Sequence, residues 1–323
     1  MGLRPAERDP ADRGLEVSGP VLSEPEAHPA PTASDPLGQP IRGPRALGDS
    51  WSRFWQLAYN IARSEFKLKF FGSALGYLWQ VMRPLLLFGV LYLFFVVVFE
   101  VNKAKGAAAH FYGAQLLGSI VLFTLFGEAS SGAVRSVVDR ESLVRKIQFP
   151  RLAIPISVVL LALFNLGLNL VVVMIFAVAE GVHPMLSWLE LPLIILMLTV
   201  LTTGVAMLLS ALFVRFRDIS PIWEVVSQIL FYCSPVIIPA EVVREKLAHG
   251  SLDHFLYHIY TLNPLVAIFQ QFRHAMINHA TLSAGQIMGS WAALLEPLAL
   301  VAVIMVLGFW VFNREAPHIA EDL

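Results

Sequence analysis

The chain holds one cysteine, Cys233, set inside an apolar run, which excludes intrachain disulfides and cysteine-rich metal sites. Charge is scarce too: 15% of residues are Asp, Glu, Lys or Arg, where a soluble domain carries about a quarter. Together with 56% hydrophobic residues, that scarcity excludes an ordinary soluble fold and makes the membrane the default class. The formal net charge of −1 gives no global field to attract nucleic acid. No phosphate-binding loop is legible, because Gly38 and Gly43 have the right separation but Pro44-Arg45 stands where Lys and Ser or Thr are required. His254 and His258 have the i, i+4 spacing of a zinc helix, yet Phe255-Leu256-Tyr257 between them lacks the carboxylate a zinc hydrolase uses as base. Internal repeats, and the paired broken helices of a secondary transporter, are missing as well.

What is there is hydrophobic length. A membrane-crossing helix needs about 20 mainly apolar residues. Six stretches are long enough, at approximately 84–100, 114–134, 153–179, 191–214, 219–239 and 291–312. Between the last two, Pro264 to Phe272 is apolar but too short to span, which predicts a re-entrant or interfacial piece. The expected architecture is an all-α polytopic membrane protein with six spans and re-entrant outer helices.

Lys and Arg in the short loops set the orientation. Arg53, Arg63, Lys67, Lys69 and Arg83 precede span one; Arg135, Arg140, Arg145, Lys146 and Arg151 separate spans two and three; Arg215 and Arg217 follow span four. These loops are expected on the cytoplasmic side, with both termini. Residues 1–50, rich in Pro, Gly, Ala and charge and without a signal-sequence core, are expected to be a disordered cytoplasmic tail. Residues 315–323 form a short cytoplasmic C-terminal tail on the same reading.

From 51 to 75 the chain reads as an amphipathic interface helix. Trp51, Phe54, Trp55, Ala58, Ile61 and Ala62 recur at helical spacing, with Arg53, Gln56, Asn60, Arg63 and Lys67 on the other side. It is either a simple anchor or a coupling element. The loop from Arg135 to Leu152 ends in Phe149-Pro150-Arg151, and a proline restricts the residue before it to extended geometry. That loop is either a docking surface or a plain topogenic signal.

Three features inside the membrane could carry function. Phe88, Tyr92, Phe95 and Phe99 are spaced by four, three and four, so their rings share one helical stripe suited to the apolar faces of sugars, or to ordinary helix packing and lipid. Span five ends in Ser234-Pro235 and Pro239, where lost helix hydrogen bonds make either a pore-side gate or a simple helix terminus. Glu128 and Glu224 sit within about two turns of the basic loops, which predicts ion pairs with Arg135, Arg215 or Arg217; Glu296 has no evident partner and reads as interfacial.

Several motifs, in order, carry a resemblance. Leu75-Gly76-Tyr77-Leu78-Trp79 with Arg83-Pro84-Leu85 comes first, then Glu141-Ser142-Leu143-Val144-Arg145-Lys146-Ile147-Gln148-Phe149-Pro150-Arg151. Arg215-Phe216-Arg217-Asp218-Ile219, Ser234-Pro235-Val236-Ile237-Ile238-Pro239, Leu262-Asn263-Pro264-Leu265 and Gln271-Phe272-Arg273 follow. Over 51 to 314 the sequence resembles the ABC-2 permeases that export polysaccharides of the O-antigen, teichoic-acid and galactan types. The resemblance implies a transmembrane domain over 76–314 that does no covalent chemistry and carries no cofactor of its own. ATP and magnesium belong to a separate ATPase, two copies of which pair with a homodimer of the permease in the bacterial plasma membrane. The implied cargo is a polyprenyl-diphosphate-linked glycan, and the rival cargo within the family is a drug or a free lipid. On this reading Trp51, Phe54, Trp55, Glu141, Ser142, Leu143, Val144, Arg145, Lys146, Phe149, Pro150 and Arg151 couple to the ATPase. Phe88, Tyr92, Phe95 and Phe99 line the channel, and Ser234, Pro235, Pro239, Asn263 and Pro264 shape the gate.

Overall fold

A computed structural model describes Gly2 and residues 51–70, 76–100, 111–141, 150–247, 251–277 and 281–316. Most of the expected N-terminal tail, the stretch 142–149 and the end of the C-terminal tail lie outside these residues. Everything described beyond Gly2 belongs to the unit Gly43–Leu323.

The described residues are helical, in the order α1 (Trp51–Phe70), α2 (Gly76–Tyr92), α3 (Tyr112–Ser136), α4 (Ala153–Ala179), α5 (Leu191–Arg215), α6 (Ile219–Tyr232), α7 (Ala240–Lys246), α8 (Ser251–Leu262), α9 (Pro264–Ile277), α10 (Ala284–Ile287) and α11 (Leu295–Glu315). Among them five helices are long and apolar enough to cross a membrane: Leu78–Val98, Tyr112–Ser136, Ala153–Ala179, Leu186–Arg215 and Ala292–Glu315. The fifth expected span, 219–239, is helical only over α6, 14 residues or about 21 Å, against a hydrocarbon core of about 30 Å. Pro235 and Pro239 are the cause, because the chain beyond Tyr232 turns instead of continuing the helix. The first span starts earlier than its apolar run indicates, with Pro84 inside the helix.

Helix α2 ends in a π-helical turn, Leu93–Val98, closed by Phe99 N–H donating to the Phe94 carbonyl at 3.1 Å. A π turn spends more residues per turn than an α-helix, so residues beyond it leave the stripe that regular spacing predicts.

Small residues put α3 at the centre. Gly113, Ala114, Gly118, Ser119, Ala129, Ser130 and Ala133 let α2, α4, α5, α6 and α9 pack around it, and it is buried along most of its length. At Gly118 an added Cβ would lie 2.5 Å from the Phe272 ring of α9. Helices α5 and α11 approach closest, where a Cβ on Gly308 would lie 2.2 Å from the Gly204 carbonyl oxygen. Thr199, Thr202 and Thr203 donate to carbonyls one turn back, so no hydroxyl of that trio is left bare in the membrane.

Two main apolar clusters result, beside a small one of Val134, Leu209 and Phe213. The larger fills the membrane layer around Leu116, Ile120, Phe126, Leu198 and Phe269. The smaller sits where α1 crosses the base of the bundle, and joins Phe54 and Ala58 to Leu152, Ile154, Met207, Val214 and Phe312. The basic loops gather at this same end, with Arg135 and Arg217 both over the Phe213 ring and Arg314 over Trp310.

Candidate functional site

Three places carry polar chemistry. The first is a groove of about 430 Å³ between α2, α3 and α6, lined by Leu87, Ile120, Phe123, Thr124, Glu224, Ser227, Gln228, Phe231 and Tyr232. On α6, Ser220, Glu224, Ser227 and Gln228 recur at steps of four, three and one, which aligns them on one face of an otherwise apolar helix. Phe123 and Phe231 meet edge to face at 5.0 Å and give the groove an aromatic wall. Carboxylate, amide and hydroxyl groups beside aromatic faces can hold a polyhydroxylated ligand without a charged clamp. Sequence reading missed Ser227 and Gln228. Their helical spacing with Glu224 was the available signal, but uncharged polar residues do not interrupt a hydrophobic run.

The expected ion pairs do not form among the described residues. Glu128 accepts from Gln80 Nε2 and Asn165 Nδ2, both at 2.9 Å, so two neutral amides from α2 and α4 hold its carboxylate. Arg135 instead donates to Ser220 Oγ at 3.1 Å. Glu296 approaches His258 Nδ1 at 3.9 Å, which links α11 to α8.

The aromatic stripe divides. Phe88 is 7% exposed and packs its ring on Phe176 at 5.1 Å, so it belongs to the core. Tyr92 and Phe95 are half-buried. Phe99, beyond the π turn, stacks on Phe95 at 5.9 Å and is exposed.

The second place is the broken end of α6. Val236 N–H donates to the Ser234 carbonyl at 2.7 Å as the chain turns. Freed carbonyls in a membrane must find protein donors. Ile237 O accepts from Tyr112 OH at 3.0 Å, and Val236 O accepts from Arg273 Nη2 at 3.0 Å. Asn263 Nδ2 donates to Ser234 Oγ at 3.2 Å, while its Oδ1 accepts from Leu265 N–H at the start of α9. Pro264 opens α9 at a position where a missing N–H costs nothing. Ser234 and Asn263 are thus brought together, with Pro235, Pro239 and Pro264 at the bends.

The third place is the α1 end. Trp51 and Trp55 are exposed, whereas Phe54 is 1% exposed and locks into the base cluster, so Phe54 anchors α1 and offers no contact surface. Arg140 is ion-paired with Glu65 of α1 and donates to Ser157 Oγ of α4 at 3.3 Å. Burial lowers the Arg140 pKa from its ordinary value. This pair ties α1 to the loop after α3, a link that spacing in the sequence does not reveal. Glu141, Pro150 and Arg151 frame the loop and Arg151 is buried; Ser142, Leu143, Val144, Arg145, Lys146 and Phe149 lie outside the described residues.

A bundle of long apolar helices with a polar groove and a broken, folded-back segment defines a multi-pass membrane permease. The chain matches the family model for the ABC-2 type transporter over residues 56–277 and belongs to that family. It is similar to an O-antigen export system permease protein RfbA of Klebsiella pneumoniae, 26% identical over 264 residues, covering 81% of this chain and 93% of that protein. An RfbA of the same name from Myxococcus xanthus is 25% identical over 271 residues, covering 83% and 95%. The chain is a transporter subunit and not an enzyme.

Proposed function

We propose that this chain is the permease of an exporter that carries a polyprenyl-diphosphate-linked polysaccharide, of O-antigen, teichoic-acid or galactan type, across the bacterial plasma membrane. The observation that carries the reading is the groove, where Glu224, Ser227 and Gln228 face aromatic rings within an otherwise apolar helix. The names of the similar RfbA proteins support a glycan as cargo.

The groove lies open on one side, and α2 and α6 present Leu86, Val90, Ile222, Val225 and Ile229 outward around it. Two copies placed face to face would close two open troughs into one path. A homodimer is therefore the working unit, with Tyr92, Phe95 and Phe99 at the outer part of that path.

Moving a long polar polymer requires an energy source that this sequence does not encode. Two copies of a separate ATPase, which hold the ATP and magnesium, supply it. They dock at the end where the basic loops gather, through exposed Trp51 and Trp55 and the loop that Glu141 and Arg151 frame. The Arg140–Glu65 pair passes their stroke between that loop and α1. That end, and both termini, face the cytoplasm, in accord with the basic-residue bias.

Depletion of the permease in its native cell tests this. Lipid-linked glycan is expected to accumulate on the cytoplasmic face, and its chemical analysis names the cargo. Accumulation of a drug or an unglycosylated lipid instead overturns the glycan reading.

A further inference from the structure

Arg273, in the C-terminal half of α9, is the largest fully buried side chain described, 0% exposed. A buried guanidinium is costly unless its donors are used, and it has five of them. Nε donates to Ser119 Oγ of α3 at 3.1 Å and Nη2 to the Val236 carbonyl at 3.0 Å. Nη1 has no partner among the described residues. Of the other buried polar atoms in this condition, Glu241 Oε2 and Tyr260 OH belong to residues within electrostatic reach of the guanidinium.

Glu241 sits in the first turn of α7, directly beyond Pro239. Its other oxygen, Oε1, is engaged by Gln270 Nε2 at 2.7 Å and Leu282 N–H at 3.0 Å. The latched arrangement therefore leaves an unspent cationic donor and an unspent anionic acceptor on either side of the proline break. The turn Leu262-Asn263-Pro264-Leu265 borders an open apolar pocket of about 390 Å³, so the turn that precedes the Arg273 helix has room to shift.

We propose that Arg273 is the positioning residue of the folded-back segment, with two alternative partner sets. In the closed state it carries Val236 and holds the broken end of α6 against Ser119; in the open state it releases Val236 and pairs with Glu241. Exchange of one charge-assisted bond for another leaves the buried cation with a partner in both states, so the gate can move without exposing it. The inference rests on the export reading for its direction of use, but the latch itself is a property of this chain.

The test uses the intact permease in its native membrane and, purified, in nanodiscs. Glu241→Gln retains Oε1 as an acceptor for Gln270 and Leu282 while it removes the charge and turns the Oε2 acceptor into an amide donor. Backbone hydrogen exchange at 233–247 is expected to match wild type in this variant, while export falls about fivefold or more. Arg273→Gln is expected to speed that exchange about tenfold or more. Should it fail to accumulate, Arg273→Lys replaces it and is expected to show intermediate exchange. The double variant Arg273→Gln/Glu241→Gln is expected to export no worse than Arg273→Gln alone, because the partners act as one unit. Wild-type export by Glu241→Gln, additive losses in the double variant, or unchanged exchange in the Arg273 variants overturns the proposal. Failure of depletion to trap a glycan would sink the export reading while leaving the exchange measurements to decide the latch.

Discussion

The seam between α5 and α11 and the groove beside α6 are built from equally apolar helices, yet they solve opposite problems. At the seam, Gly204 and Gly308 bring two backbones so close that no side-chain atom fits between them. At α6, a single residue, Ser220, is buried, and polar groups point into open space. The seam has no slack and the groove has little else. In a transporter that must hold its shape while cargo moves, contact density marks the scaffold and its absence marks where movement is cheapest.

Substitutions of graded severity break or sharpen this contrast. The largest effect is expected at the base: Phe54→Ala empties a fully buried site and should cost about 3–5 kcal/mol, read as a fall in the unfolding temperature of the purified permease. Next comes the seam. Gly308→Ala gains up to about 1 kcal/mol of helix propensity but drives a methyl into the Gly204 carbonyl, and the clash is expected to dominate with a net loss of about 1–3 kcal/mol. Gly89→Ala on α2, which meets nothing within 4 Å, is the matched control and should not destabilise. Glu128→Ala leaves the Gln80 and Asn165 amides without their acceptor and should cost about 1–3 kcal/mol by the same assay. The smallest stability change, within about 0.5 kcal/mol, is expected for Gln228→Ala in the groove, together with a measurable fall in glycan export. A groove variant that lowers the unfolding temperature by several degrees but spares export would reverse the roles assigned to the two regions.

Much of the fold was legible because hydrophobic run length is a local property. The runs at 153–179 and 191–214 predict α4 and α5 almost to the residue, and the Trp51, Phe54, Trp55 and Ala58 pattern predicts α1. Pro235 and Pro239 likewise announce a break. What composition could not convey is length after the break: the apolar run to 239 reads as a full span, while the helix within it stops at Tyr232.

The sites were legible where a residue acts through its neighbours in sequence and hidden where it acts across the bundle. Glu128 reads as a partner for Arg135 two turns away, yet its amides come from residues 80 and 165. Arg273 shows in the sequence only as the end of the Gln271-Phe272-Arg273 motif, although it bridges α3 and the turn beyond α6 in the core. Phe99 leaves the stripe shared by Phe88, Tyr92 and Phe95 because hydrogen-bond register, which no side-chain pattern announces, changes at Leu93.

That change of register has a consequence for how this chain can vary. A π turn stores one residue more than an α-helical path would use, so the tip of α2 holds spare length of its own. Deleting one of the six residues Leu93–Val98 would let the turn relax to regular winding while turning Phe99 by only about 20°. The same deletion at the Gly308 seam would throw every later contact out of phase. Single-residue gain and loss is therefore tolerable at the tip of α2, where the π turn takes up the difference and leaves the bundle beside it undisturbed.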